Sequence, residues 1–203
     1  MNEAFQYIFP GTMLMWVFFI AQGAVADIYG EYKHQTMQRL IVSRVTIAQF
    51  LWAKILHCVL LCLIVELILV IVTRLLFGLH WGNWFLLLLV LLIINISITG
   101  LLILVYGLCR NKNIGDAVIP ALIIISAILG GAMFPYEQMP PSMQMMGNLT
   151  ITRWGIRSIS HIMQSHPVNE IMLPLLMLLT IGIVCAAAGA RLFRKRFEMG
   201  GME

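Results

Sequence analysis

Five long apolar runs divide the chain, with short polar stretches between them. They cover about 9–28, 47–73, 84–108, 115–133 and 171–190. Each lies near the ~20 residues that a helix needs to cross a hydrocarbon core. The pattern predicts an all-α, polytopic membrane protein in a single domain, 1–203. Pro10 suits the first turn of the opening span, where its missing N–H costs nothing. The second run is long, so it is expected to tilt or to begin as an interfacial segment. Trp81 and Trp84 are expected to anchor the start of the third span at the membrane interface. Gly130-Gly131 is expected to close the fourth.

Composition agrees with this pattern. Charged residues make up 11% of the chain and apolar residues 61%, against about 25% and roughly 45–50% in soluble domains. The positive charge is clustered: Lys33, Arg39 and Arg44, then Arg110 and Lys112, then Arg191, Arg194, Lys195 and Arg196. Such clusters beside spans mark the cytoplasmic side. They place 29–46, 109–116 and the tail 191–203 inside, and 74–83 and 134–170 outside with Arg74, Arg153 and Arg157. Lys54 falls within the second span near its inner end, where it can snorkel. Insertion topology thus accounts for the formal net charge of +4, and no nucleic-acid partner is expected. Five spans with an inner C-terminus place the N-terminus outside. Ala24-Val25-Ala26 resembles a signal cleavage site, but the leader holds Glu3 and no Lys or Arg, so the basic region of a secretory signal is missing. The expectation is a fragment, or a naturally shortened member, of a six-span protein.

Two segments between spans are unusual. In 29–46, Met37, Leu40 and Ile41 have helical spacing, with Lys33, Gln38, Arg39 and Arg44 largely elsewhere around the wheel. This predicts an amphipathic helix on the inner membrane surface. It serves either as a plain interfacial anchor or as a docking helix for a cytoplasmic partner, with Glu31 as a charged contact. The segment 134–170 is too apolar for a free loop and too broken for a span. It is expected to form a short helix lying in, or dipping into, the outer interface.

Polar groups within the spans are few. Glu66 costs roughly 2.5–3.5 kcal/mol to place in a span. It is either a structural carboxyl, protonated or hydrogen-bonded to a neighbouring helix, or a functional group. A proton relay needs further acidic residues, and only Asp27, near an inner end, is available. Asn95 and Thr99, four apart and close to Gly100, have the character of residues that bind helices together, as do Gln22 and Gly23. Cys58 and Cys62 share a helix face without nearby metal-binding partners and are read as buried apolar residues. His57 has no counterpart at matching depth for a haem. Ser158, Ser160 and His161 lack a Gly-x-Ser-x-Gly elbow. The methionines at 133, 139, 143, 145 and 146 are read as flexible apolar filling rather than soft-metal ligands. No metal site and no cofactor bound by this chain are expected.

Several stretches together resemble the type-2 ABC transporter permeases. Phe9-Pro10-Gly11 opens the first span. Gly30-Glu31 through Arg39-Leu40 follows, then Ala53-Lys54 in the next span. Gly130-Gly131-Ala132-Met133-Phe134-Pro135 with Glu137, Met139 and Pro140 is similar to the family's outer signature. Where the family usually has Gly-Thr after the acidic coupling residue, this chain has His34-Gln35-Thr36, and the family's first span and large external domain are absent. The resemblance implies a permease that pairs with a second copy or a paralogue in the cytoplasmic (inner) membrane. Each permease is joined to a cytoplasmic ABC ATPase that holds the ATP and Mg. It implies ATPase coupling by Glu31, Lys33, Gln35 and Arg39, and an outer gate formed by Gly130, Gly131, Phe134, Pro135, Glu137 and Pro140. Gln22, Glu66, Asn95 and Thr99 line the path or pack helices. No Gly-x-x-x-x-Gly-Lys-Ser/Thr motif occurs, so energy for export of a hydrophobic or amphipathic substrate has to come from the partner. Two other readings stand beside it: an ion- or proton-coupled carrier using Glu66, and a non-transporting membrane scaffold or fragment.

Overall fold

Each apolar run forms a helix in the computed structural model, which describes residues 2–33, 47–109, 111–164 and 166–198. The helices are α1 (Asn2–Lys33), α2 (Ile47–Phe77), α3 (Trp84–Leu108), α4 (Lys112–Gly130), α5 (Pro141–Gly147), α6 (Ile151–Met163) and α7 (Val168–Glu198), with a 3-10 turn at Tyr136–Gln138 before α5. Among the described residues there is no strand. Five stretches are long and apolar enough to cross a membrane: Ile8–Asp27, Trp52–Phe77, Trp84–Leu108, Lys112–Gly130 and Asn169–Leu192. At 13 residues, α6 reaches only about 20 Å, short of a ~30 Å hydrocarbon core.

The helix ends follow from local chemistry. Asn83 caps α3 by accepting from the Phe85 and Leu86 amides at 2.9 and 3.4 Å. Asn111 caps α4 through the Ile114 amide at 3.0 Å. Each cap fills an amide that the first turn leaves unpaired. Gly131 adopts φ 87 just past α4. Its own amide and that of Ala132 turn back to Ile128 O and Ala127 O at 3.3 and 2.9 Å. This is the glycine-dependent Schellman ending, and it stops the helix at Gly130, at the expected Gly130-Gly131 pair.

α3 is the central element. It packs on α1, α2, α4, α6 and α7, most extensively on α7. The pair runs parallel: Ser97 Oγ donates to Leu178 O at 2.7 Å, then Gly100 meets Gly182 and Ala186, and Ile103 and Leu104 meet Gly189, further along both helices. A Cβ at Gly100 would stand 2.5 Å from Gly182 O, and one at Gly182 would stand 2.8 Å from Ser97 Cα. The backbones meet because these positions carry almost no side chain, the usual device for association in lipid. Parallel α3 and α7 also fix the topology. α4 crosses once between them, so 131–167 begins and ends at the same end of the bundle.

That end is capped by α5 and α6. Ile151, Trp154, Ile156, Ile159 and Ile162 of α6 are buried, so α6 packs into the core at that end. Two expectations change. α1 starts before Pro10, which therefore lies inside the helix, at the cost of an interior hydrogen bond. Trp81 is no lipid-facing anchor: it is 2% exposed, its ring N–H donates to Thr73 Oγ1 at 3.2 Å, and Phe9 stands edge-on to it at 5.9 Å. A buried indole needs a partner for its N–H, and Thr73 supplies one. Trp84, by contrast, is exposed and lies under Arg74.

Replacing Gly100 by Leu is expected to destabilise the folded protein in detergent by about 1–3 kcal/mol, the usual cost of overpacking. A thermal melt followed by far-UV circular dichroism checks this; an unchanged midpoint would show that the α3–α7 approach is not tight.

Candidate functional site

The intramembrane polar residues gather where α1, α2 and α3 meet. Positions 58, 62 and 66 follow one another at one-turn spacing on α2, and 95 and 99 do so on α3. Asn95 Nδ2 donates to Glu66 Oε2 at 2.6 Å, and both residues are 0% exposed. Thr99 Oγ1 donates to Cys58 Sγ at 3.4 Å, and the Cys58 thiol in turn reaches Ala21 O of α1 at 3.8 Å. Gly100 belongs to the other side of α3, against α7. Gln22 is partly exposed and takes no part in this group.

Among the described residues no cation pairs with Glu66. Glu66 Oε1 and Asn95 Oδ1 are both buried without a hydrogen-bond donor. One proton on the free carboxyl oxygen supplies the donor that Asn95 Oδ1 lacks. An amide joined to a carboxylic acid is a self-sufficient pair, and it removes the cost of a buried lone charge. Asp27 is exposed near the inner end of α1. Counting outward along α2 and inward along α1 from the Ala21–Cys58 contact, Asp27 lies about 20 Å from Glu66. No chain of acidic groups joins them among the described residues. Glu66, Asn95, Thr99 and Cys58 tie α2 to α3.

The outer motif has a different structure. Gly130 lies against Thr152 of α6, and Ser126 and Thr152 share a hydrogen bond at 2.8 Å. Pro135 leads into the 3-10 turn and Pro140 into α5. Phe134 and Glu137 are exposed. The organising residues here were not singled out by sequence. Tyr136 Oη donates to Gln144 O at 2.8 Å, and Gln144 Nε2 donates back to Tyr136 O and Met139 O at 3.2 and 2.9 Å. Arg153 lies 3.3 Å over the Tyr136 ring. Arg74 sits 5.0 Å over Trp84 and Arg157 5.9 Å over Trp154. Each of the three arginines expected outside thus stacks on an aromatic face, which satisfies a cation where water is scarce.

At the opposite end, Tyr106 Oη donates to Asp116 Oδ1 at 2.6 Å and ties α3 to α4 across their short connection. Of the four expected coupling residues, two are described at this end. The backbone of Glu31 and Lys33 closes α1, whereas Gln35 and Arg39 lie outside the described residues.

The bundle is therefore a multi-pass helical membrane protein with a packed cap at one end. The family model for ABC-2 family transporter protein matches residues 1–191, and the chain belongs to that family. It is the membrane subunit of a transporter and not itself a catalyst, in a family whose members work with an ABC ATPase. No curated protein matches the chain.

Glu66→Gln is expected to remain within about 1 kcal/mol of the parent, because the new amide can both accept from Asn95 and donate to it. Asn95→Leu, which strands the carboxyl, is expected to lose about 1–2 kcal/mol. Unfolding in mixed micelles measures both, and equal losses would refute the paired-acid arrangement.

Proposed function

We propose that this chain is the permease of an ATP-driven exporter in the cytoplasmic membrane, with its C-terminus and the 29–46 segment in the cytoplasm. The match to the transporter family over 1–191 carries the reading. What supports the orientation is the distribution of charge. The ends of α1, α3 and α7 that adjoin the three basic clusters fall at one end of the bundle, and the three aromatic-stacked arginines fall at the other.

Two copies, or one copy and a paralogue, enclose the path. Each is driven by a cytoplasmic ATPase carrying the ATP and Mg. Docking on Glu31, Lys33, Gln35 and Arg39 transmits the nucleotide cycle to α1 and α2, which flank that segment in the chain. The partner shifts access only if its nucleotide states differ in how they hold this segment. A stripe at one-turn spacing on α2 (Trp52, Leu56, Leu60, Ile64, Ile68) is exposed and apolar, which suits lipid, a second permease and a hydrophobic or amphipathic cargo. The motif Gly130, Gly131, Phe134, Pro135, Glu137 and Pro140 forms the outer gate, hinged where α4 ends. The self-contained Glu66–Asn95 pair favours this reading over a proton-coupled carrier.

The test is transport by the chain reconstituted with its ATPase in proteoliposomes. Glu31→Arg is expected to insert normally and to lower ATP-dependent export by about tenfold or more, the effect of losing one interface contact worth ~1.4 kcal/mol. Unchanged export would remove Glu31 from the coupling site. Transport that survives without ATP but fails with an uncoupler would replace the exporter by a carrier. Gln38→Cys is expected to resist an impermeant thiol reagent added outside intact cells, and labelling there would invert the orientation.

A further inference from the structure

His161 at the end of α6, His166 in the following turn and Glu170 in the first turn of α7 bring their ligand atoms within 4.8 Å of one another. We propose that these three side chains form a binding site for a divalent transition-metal ion of the zinc type, clamping α6 to α7 at the capped end of the bundle. No metal is expected here from the sequence, in which His161 draws notice only beside Ser158 and Ser160.

The backbone preorganises the cluster. The His166 amide donates to His161 O at 2.9 Å, and the Glu170 amide donates to Pro167 O at 3.0 Å. His166 and Glu170 are then one helical turn apart, on the same side. Glu170 Oε2 lies 2.9 Å from His166 Nδ1 and 3.4 Å from His161 Nδ1. Ligand atoms bound to zinc at ~2.0–2.1 Å in a tetrahedron stand about 3.3 Å apart, so these spacings bracket the edge of a coordination shell. His166 and Glu170 are exposed and have the freedom to close the remaining separation. Two neutral imidazoles and a carboxylate are the donor set that zinc accepts, with a fourth position left for water.

Two further observations point to a cation at this spot. His161 Nδ1 is buried and has no hydrogen-bond partner, although the Glu170 oxygen is close. His166 Nε2 lies 3.0 Å from Gln164 Oε1. A proton on Nε2 donated to Gln164 would leave the His166 Nδ1 lone pair for a cation beside the carboxylate. A hydrogen bond from the far ring nitrogen is also how metal-binding imidazoles are oriented. One contact opposes binding: Arg157 Nε donates to His161 Nε2 at 3.4 Å. Ligation through Nδ1 places the proton on Nε2 and displaces that guanidinium.

The experiment titrates Zn²⁺ into the full chain in detergent micelles against a chromophoric chelator. One saturable Zn²⁺ per chain is expected. His166→Ala and Glu170→Gln are each expected to weaken it by at least about 100-fold, Gln164→Ala by about tenfold, and Arg157→Ala to tighten it. The first three positions are exposed, so these variants keep the metal-free melting temperature of the parent, which confirms that they fold. His80→Ala, also exposed at this end, is expected to bind like the parent. Absence of saturable Zn²⁺ binding, or equal affinity in the parent, His166→Ala and Glu170→Gln, would overturn the site and leave a proton-bridged His–Glu clasp.

Discussion

The rest of this structure depends on the direct approach of two parallel backbones, α3 and α7. In hydrocarbon, burying a leucine against another helix is no better than leaving it in lipid, so ordinary apolar faces do not choose partners. Selectivity comes from shape. Ser97, Gly100, Gly182 and Gly189 let the two helices approach to backbone contact, where dispersion is strongest and Ser97 can bridge to a carbonyl. Once this pair is set, α3 has its other sides free for α1, α2, α4 and α6, and it is enclosed by them.

Polar chemistry is distributed along the bundle axis by the same logic. Near the middle, hydrogen bonds are few and paired within the protein: Asn95 with Glu66, Thr99 with Cys58, Cys58 with Ala21. At the capped end they multiply, and Tyr136, Gln144, Asn148 and Trp154 bind turns that have no ladder of their own. Irregular backbone is tolerated at membrane depth only where protein groups satisfy it, and the cap meets that condition. The arginines at this end sit over aromatic rings.

Much of this was legible in the chain because a span is a long, one-dimensional signal. Composition over about twenty residues decides it, and small errors at the ends do no harm. The all-helical fold and five candidate spans followed from that signal, and the family from the resemblance of several short motifs. What failed was local and three-dimensional. Trp81 sits beside a span, where an interface role is the usual expectation, yet Thr73 and Phe9 fold over it through contacts that no spacing reveals. Pro10 reads as a helix start unless the preceding residues are also helical. The packing of the apolar face of α6 on the bundle was also hidden, because periodicity cannot tell lipid from protein as the apolar partner. Glu66 and Asn95 were both flagged, but their pairing across α2 and α3 required the register of two helices. The His161–His166–Glu170 cluster was missed because a turn and a helix start lie within it, which breaks regular spacing. The coupling segment stays a matter of sequence, since 34–46 falls outside the described residues.

The Ser97–Leu178 bond joins residues 81 apart in the chain. At a ribosomal rate of about 5–20 residues per second, α3 waits roughly 4–16 s for its principal neighbour to be synthesised. Throughout that interval its small-residue groove faces lipid or the insertion machinery. Biogenesis therefore hinges on a late step, and a polypeptide arrested before α7 emerges would present an unmated surface for quality-control proteases to survey.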